Sequence, residues 1–333
     1  MKVALCFLIS GKQHVNKEQL WIKWLSKNKD LFNIYFHYKD YATIFSPWIK
    51  KHALPQNYIV ETSYYHVVPA YMSLLCYAHK HDKQNQWFIF LTESCVPIIS
   101  PLKFRELFLS FYDCSILNWK KPWWNVNFCK RANLKHIPTE FHFGHDPYFL
   151  LKREDAESLI KIYTVKTEEH FFFRFICQGA IANESVFAIL FYILKKLETK
   201  YLINAATHAT DWSRPTSTTS PHVFSSITDH NKDQQFICQF CKDNKYTMFL
   251  RKVGPDFPNK ILEDIIYKDN ELEERKERVW KLEWILFFKM NTYLPALGIG
   301  LFLYFLCYLT QSLARSFLSV HSLASSFFSK LIL

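Results

Sequence analysis

Apolar and polar positions alternate in blocks along the first 150 residues. Short apolar runs bounded by polar clusters recur at 3–9 (VALCFLI), 33–38 (NIYFHY), 57–61 (NYIVE), 87–91 (WFIFL) and 146–151 (DPYFLL). Runs of this length, rich in β-branched and aromatic residues, predict buried strands. Between them, 18–28 (EQLWIKWLSKN) and 69–81 (PAYMSLLCYAHKH) carry apolar residues at helical spacing. Strands alternating with helices predict a mixed, mostly parallel α/β sheet flanked by helices. Such sheets gather ligands in the crevice beyond the C-terminal ends of their parallel strands. The stretch TESC (92–95) follows the fourth run directly, so its polar residues are expected at such a crevice. Further along, 153–163 (REDAESLIKIY) and 184–198 (ESVFAILFYILKKLE) predict two more helices. The intervening ANE (182–184) would put Asn183 at a cap and Glu184 in a first turn, where the helix dipole favours a carboxylate. Residues 207–224 (THATDWSRPTSTTSPHVF) read as a long polar loop, and 247–255 (TMFLRKVGP) as a strand or helix end bearing two adjacent cations.

The pattern changes near the C-terminus. A charged segment at 266–289, helical over 271–284, precedes a stretch from Lys289 to Arg315 with no charged residue between them. About 20 apolar residues cross a bilayer, so 290–314 is expected to be a transmembrane helix in the lipid bilayer. Arg275, Lys276, Arg278, Lys281 and Lys289 precede this span, whereas Arg315 and Lys330 follow it. The bias expects a single-pass protein with a cytoplasmic N-terminal side, and a short tail, 315–333, along the opposite interface. The opening MKVALCFLIS runs into polar GKQH instead of a small-residue cleavage site, so it reads as a first strand and not as a signal peptide.

Composition narrows the picture. Of the 333 residues 49% are hydrophobic and 18% aromatic, which suits a large core and excludes a disordered chain. Only 6 glycines are present, and neither phosphate-binding glycine motif occurs. A formal net charge of +11 is compatible with nucleic acid, an anionic membrane surface or anionic small substrates. Nucleic-acid recognition motifs are absent, so no nucleic-acid partner is expected. Nine cysteines, an odd number, do not suggest a disulfide framework. Cys238 and Cys241 form a single C-x-x-C with no second pair at zinc spacing, and read as ordinary thiols on or near a strand. A reducing compartment fits this usage.

Five segments occur in a telling order: FIFLTESCVPIISPLKF, PYFLLKREDAESLI, NESVFAIL, ATDWSRPTSTTSPHVF and FLRKVGP. Together, over about residues 2–255, they resemble the core-2/I-branching β-1,6-N-acetylglucosaminyltransferases and their plant relatives. That family shares a strand ending LSESCIPL, a VDWS…HP.TF loop and a terminal LFARKF. The resemblance implies a GT-A-like domain over 1–265 that transfers a sugar from a UDP-sugar to a hydroxyl with inversion. It also implies work without a divalent metal or other cofactor, and this chain has no Asp-X-Asp.

Carried over by position, the resemblance makes Glu184 the catalytic base that takes the acceptor proton. Lys252 stands where the family's ARK lysine meets the diphosphate, with Arg251 beside it; fixed cations can replace a metal there. A different arginine of animal members falls at Thr219, so Arg214 is the candidate for a second phosphate cation. Glu93, Ser94 and Cys95 occupy the strand end where other GT-A enzymes carry metal-binding acids, and are expected to contact donor ribose or sugar hydroxyls. Asp211 and Trp212 are expected to shape the acceptor or donor wall, and are assigned first to the acceptor. The chain departs from the family at GHDPYF (144–149) in place of GSQWF, at PAY (69–71) in place of the acidic DAE of plant relatives, and in bearing its anchor at the C-terminus. The implied partners are a UDP-sugar, probed first as UDP-N-acetylglucosamine, and a glycan or glycoprotein acceptor. A non-catalytic sugar- or nucleotide-binding membrane scaffold is the alternative, as is a lumenal ER or Golgi placement.

Overall fold

In a computed structural model that describes residues 1–127 and 130–268, the chain begins with β1 (Lys2–Leu8), α1 (Glu18–Ser26), β2 (Phe32–His37), α2 (Pro47–Lys51), α3 (Val68–His81) and β3 (Asn85–Thr92). It continues through β4 (Val96–Pro97), α4 (Pro101–Phe111), β5 (Ser115–Ile116), β6 (Trp119–Lys120), β7 (Gly144–His145) and β8 (Leu150–Lys152). Then follow α5 (Arg153–Thr164), α6 (Glu168–Gln178), α7 (Val186–Ile193), β9 (Leu202–Ile203), β10 (His208–Thr210), α8 (His230–Asp243), β11 (Phe249–Arg251) and α9 (Asn259–Tyr267).

The main sheet has the order β2-β1-β3-β8-β5-β9. β1 lies parallel between β2 and β3, and β5 runs parallel to β9. β8 is antiparallel to both β3 and β5. Strands buried on both faces need continuous apolar sequence, and β1 supplies it. Its Val3, Leu5 and Phe7 enter one core with Trp21, Trp24, Phe36 and Phe104, while Ala4 and Cys6 enter the other with Leu74, Phe90 and Phe187. β3 alternates in the same way, Trp87, Ile89 and Leu91 against Phe88 and Phe90. A second sheet, β10-β11-β4, and a ribbon, β6-β7, complete the strand pairings among the described residues.

Three expectations need correction. Residues 57–61 form no strand: Gln56–Tyr58 is a 3-10 turn, and the Val60 amide donates to His37 Nε2 at 3.2 Å instead of to a neighbouring strand. The helix expected over 184–198 spans only Val186–Ile193, because Lys195 turns left-handed (φ 55°). Glu184 accordingly precedes that helix in a separate 3-10 turn, Ala182–Glu184. Cys238 and Cys241 lie on a helix, α8, and not near a strand. Most of the charged segment, 269–289, together with the expected span and the tail lies outside the described residues. Among the described residues no helix is long and apolar enough to cross a membrane.

Candidate functional site

Two tryptophans spaced three apart on α1 fix the turn after β3. The Trp21 indole N–H donates to the Cys95 carbonyl at 2.9 Å, and that of Trp24 donates to the Ile99 carbonyl at 2.8 Å. The turn closes on itself through Cys95 N to Thr92 O, 3.1 Å. Its far side meets β11: Leu250 pairs with Val96, and the Val253 amide donates to the Ser94 carbonyl at 3.0 Å. TESC and LRK, separated by more than 150 positions in the sequence, thus lie side by side.

Of the polar residues in this turn, Ser94 is nearly buried, its hydroxyl 3.3 Å from that of Thr92, and Glu93 is half-buried. Cys95 is fully buried, its sulfur 3.5 Å from the Thr92 hydroxyl, and burial pushes its thiol up. A raised thiol is a poor nucleophile, and a side chain with no exposed surface has none to offer a donor. The expectation that Cys95 contacts sugar hydroxyls directly is corrected: it supports the turn.

Arg251 enters from β11. Its guanidinium carbon lies 4.3 Å from the centroid of the Tyr148 ring, and its Nε is buried without a partner among the described residues. The Tyr148 ring also packs against His208, centroids 5.0 Å apart, and His208 against Phe249 at the same separation. Burial and the positive charge of Arg251 hold His208 well below the usual histidine range, so it is neutral. Burial raises the Tyr148 hydroxyl to about 12, with Arg251 opposing the rise. The charge of Arg251 therefore reaches much of this end of the sheet. Lys252, next in sequence, is half-buried, and its carbonyl accepts from the Phe224 amide at 3.0 Å.

Glu184 lies in the 3-10 turn before α7, where Ile181 adopts a left-handed φ of 54° and Asn183 is nearly buried. Its side chain is 22% exposed, and Oε2 accepts a hydrogen bond from Arg131 Nη1 at 2.9 Å. Among the described residues, Oε1 accepts no hydrogen bond. Burial raises the Glu184 carboxyl above its ordinary value; Arg131 and Arg251 oppose that rise, and Asp146 adds to it. A half-buried carboxylate with raised affinity for protons and one oxygen free is suited to general-base work. Asp146, also raised by burial, accepts from Asn118 Nδ2 at 2.7 Å.

Arg214 is placed elsewhere. It pairs with Asp211 at 2.7 Å and Asp233 at 2.9 Å, two carboxylates with no exposed side-chain surface. His222 Nε2 lies 3.0 Å from Asp233 Oδ1, and the Thr228 hydroxyl donates to Oδ2 at 2.6 Å. Burial alone would raise Asp211, but hydrogen bonds from Ser213 and Arg214 outweigh it and hold it low. Two buried acids thus anchor Arg214, whose side chain keeps 29% of its surface exposed. Asp211 likewise braces the loop from within and forms no wall. Trp212 is 54% exposed, and Thr219 lies exposed at the tip of a tight turn. Removing one partner of a buried ion pair strands the other, so Asp233→Ala should lower unfolding free energy by about 3 kcal/mol, measured by urea denaturation.

Sequence reasoning missed Arg131, Asp146, Tyr148 and His208. The altered GHDPYF segment pointed to Asp146 and Tyr148, since it departs from the family where the fold brings Asp146 near Glu184 and Tyr148 against Arg251; nothing in CKRAN (129–133) distinguishes Arg131. Among the described residues no group of three or more His, Cys, Asp or Glu is placed to hold a metal ion.

A search of curated proteins gives no match. Among solved structures, 4-diphosphocytidyl-2C-methyl-D-erythritol synthase from Anaerococcus prevotii aligns at 11% identity with a TM-score of 0.30, over 58% of this chain and 96% of that one, a likeness too slight to bear on fold or function. The profile of the family described as Core-2/I-Branching enzyme, in contrast, matches residues 5–237. That match takes in the β3 turn, Arg131, Glu184 and the Asp211 loop, and the chain belongs to the core-2/I-branching enzyme family, a family of glycosyltransferases.

Proposed function

We propose that this protein is a membrane-anchored inverting glycosyltransferase that moves a sugar from a UDP-sugar to a hydroxyl of a glycan or glycoprotein without a metal ion. The observation that carries the reading is the half-buried Glu184 carboxylate, raised by burial and within the field of Arg251, with Oε1 accepting no hydrogen bond among the described residues. Glu184 Oε1 takes the proton of the acceptor hydroxyl as its oxygen bonds to the anomeric carbon. The bond from that carbon to the diphosphate breaks, and its electron pair leaves with the phosphate oxygen. Arg251, with Lys252 beside it, receives the developing negative charge, a role that preorganised cations fill well where water is excluded. Glu93 and Ser94 stand at the strand end on the donor side, and Trp212 offers an exposed ring to a sugar face.

Metal independence is supported by the missing Asp-X-Asp and by Arg251, whose Nε has no partner among the described residues. Sugar transfer is accordingly expected to persist in excess EDTA, followed as UDP release from a panel of UDP-sugars that includes UDP-N-acetylglucosamine. Loss of activity on chelation, restored by manganese, would overturn this part of the proposal. The uncharged span 290–314 is the proposed anchor, with the catalytic domain on the cytoplasmic side; protease protection in sealed microsomes tests that orientation.

Because burial raises Glu184, activity that needs its ionised form should rise with pH through a midpoint above the ordinary glutamate value. A rising limb in kcat/KM centred at or below that value would argue against Glu184 as the base.

A further inference from the structure

Arg131 belongs to none of the motifs that carry the family resemblance, yet it is the side chain bonded to Glu184. Its guanidinium carbon lies 4.9 Å from the centroid of the Trp124 ring. Trp124 is held in turn. It meets Trp123 edge to face at 4.8 Å, and a Cβ on Gly144 would come within 3.0 Å of its ring. The backbone on either side of Arg131 is equally fixed: the Ala180 amide donates to the Lys130 carbonyl at 3.1 Å, and the Ala132 amide to the Ala180 carbonyl at 2.9 Å. This approach demands glycine at 179, where a Cβ would collide with the Asn133 and Ala132 backbone at 2.3 and 2.7 Å. The segment bearing the arginine is thereby stitched to the chain leading into the Ala182–Glu184 turn.

We propose that Arg131 is a positioning residue for the reaction: gripped by Trp124 and by the pairing of 130–132 with Ala180, it holds Glu184 by Oε2 so that Oε1 alone is presented to the acceptor hydroxyl. This inference rests on the reading of Glu184 as the base. Hydrogen bonding to one carboxylate oxygen fixes the rotamer of a side chain whose terminal torsion is otherwise broad. It also biases protonation. The charged groups that act on Glu184 are Arg131 and Arg251, which favour its ionised form, and Asp146, which does not; the buried Tyr71 hydroxyl is itself raised, in part by the Glu184 charge, and stays protonated. Without Arg131, burial and Asp146 are opposed by Arg251 alone, and the carboxyl rises further.

The test uses the full-length protein in detergent and follows UDP release from the UDP-sugar panel as a function of pH. Arg131→Met should move the rising limb of kcat/KM upward by about one pH unit. Lost orientation should also lower the plateau kcat roughly ten- to a hundredfold, with the KM for donor little changed. Arg131→Lys, which keeps the charge, should restore the limb but only part of kcat. Trp124→Leu, which leaves the arginine in place but ungripped, should shift the limb less and in the same direction; it decides the matter if Arg131→Met fails to fold. An unchanged limb in folded Arg131→Met, with Glu184→Gln inactive, overturns this inference and leaves the base assignment standing. Wild-type UDP release by Glu184→Gln, or no release by the native protein from any sugar of the panel, overturns both.

Discussion

Glu184→Gln should lower the kcat of sugar transfer about a hundred- to ten-thousandfold, the range expected when a positioned general base is lost. The amide keeps nearly the shape of the carboxylate and can still accept from Arg131, so the turn at 182–184 and the affinity for donor should survive. Binding of UDP, measured by calorimetry, is expected to match the native protein. The contrast decides between chemistry and scaffolding. A protein that only binds nucleotide or sugar at a membrane would be indifferent to this substitution. Retained transfer by Glu184→Gln would return the non-catalytic alternative to first place.

Arg251→Met is expected to be nearly as damaging, about a hundred- to a thousandfold in kcat, or about 3–4 kcal/mol of transition-state stabilisation. The cause differs. Charge on the departing diphosphate grows as the sugar–phosphate bond breaks, so a fixed cation contributes more in the transition state than in the ground state. Arg251→Lys should recover only part of the loss, because an ammonium cannot both rest on the Tyr148 ring and direct a planar fork at phosphate. Lys252→Met should cost less than Arg251→Met, since it is the charge of Arg251 that acts on Glu184, Tyr148 and His208. The opposite ranking, measured on donor turnover, would move the principal phosphate contact to Lys252.

Much of the central sheet was legible in the sequence because its strands obey one simple demand. A strand buried on both faces must be apolar throughout, and VALCFLI and WFIFL satisfy that plainly. NYIVE meets it only in part, with Asn57 and Glu61 exposed and the three residues between them half-buried, and it is no strand: its polar backbone groups find the His37 ring and local turns. A short apolar run makes a strand only where a neighbouring strand supplies hydrogen-bond partners. Orientation was less legible: DPYFLL contributes β8, antiparallel to its neighbours, and periodicity does not encode direction.

At the site, Glu184 and Arg251 could be named from ordered motifs, whereas the partners that define their chemistry could not. Arg214 shows why. In the sequence it is one cation beside Asp211 in a loop; the second acid, Asp233, arrives from α8 and anchors it. Arg131 shows the converse, an undistinguished basic residue that the fold delivers to the carboxylate. Such long-range pairings are set by tertiary packing, which no local pattern contains.

The joint between the β3 turn and the end of β11 has a consequence for biosynthesis. Asn16, near the beginning of the chain, donates through its amide N–H to Glu93 O at 2.9 Å and through its side chain to Val253 O at 2.6 Å. Lys17 reaches on to the carbonyl of Pro255 at 2.8 Å. During translation the first ninety or so residues can build β1, β2 and β3 among themselves, but this clasp must wait for a partner some 240 positions downstream. Until residues 249–255 have been made, the edge beside the β3 turn stays open, and the joint forms only when β11 has docked.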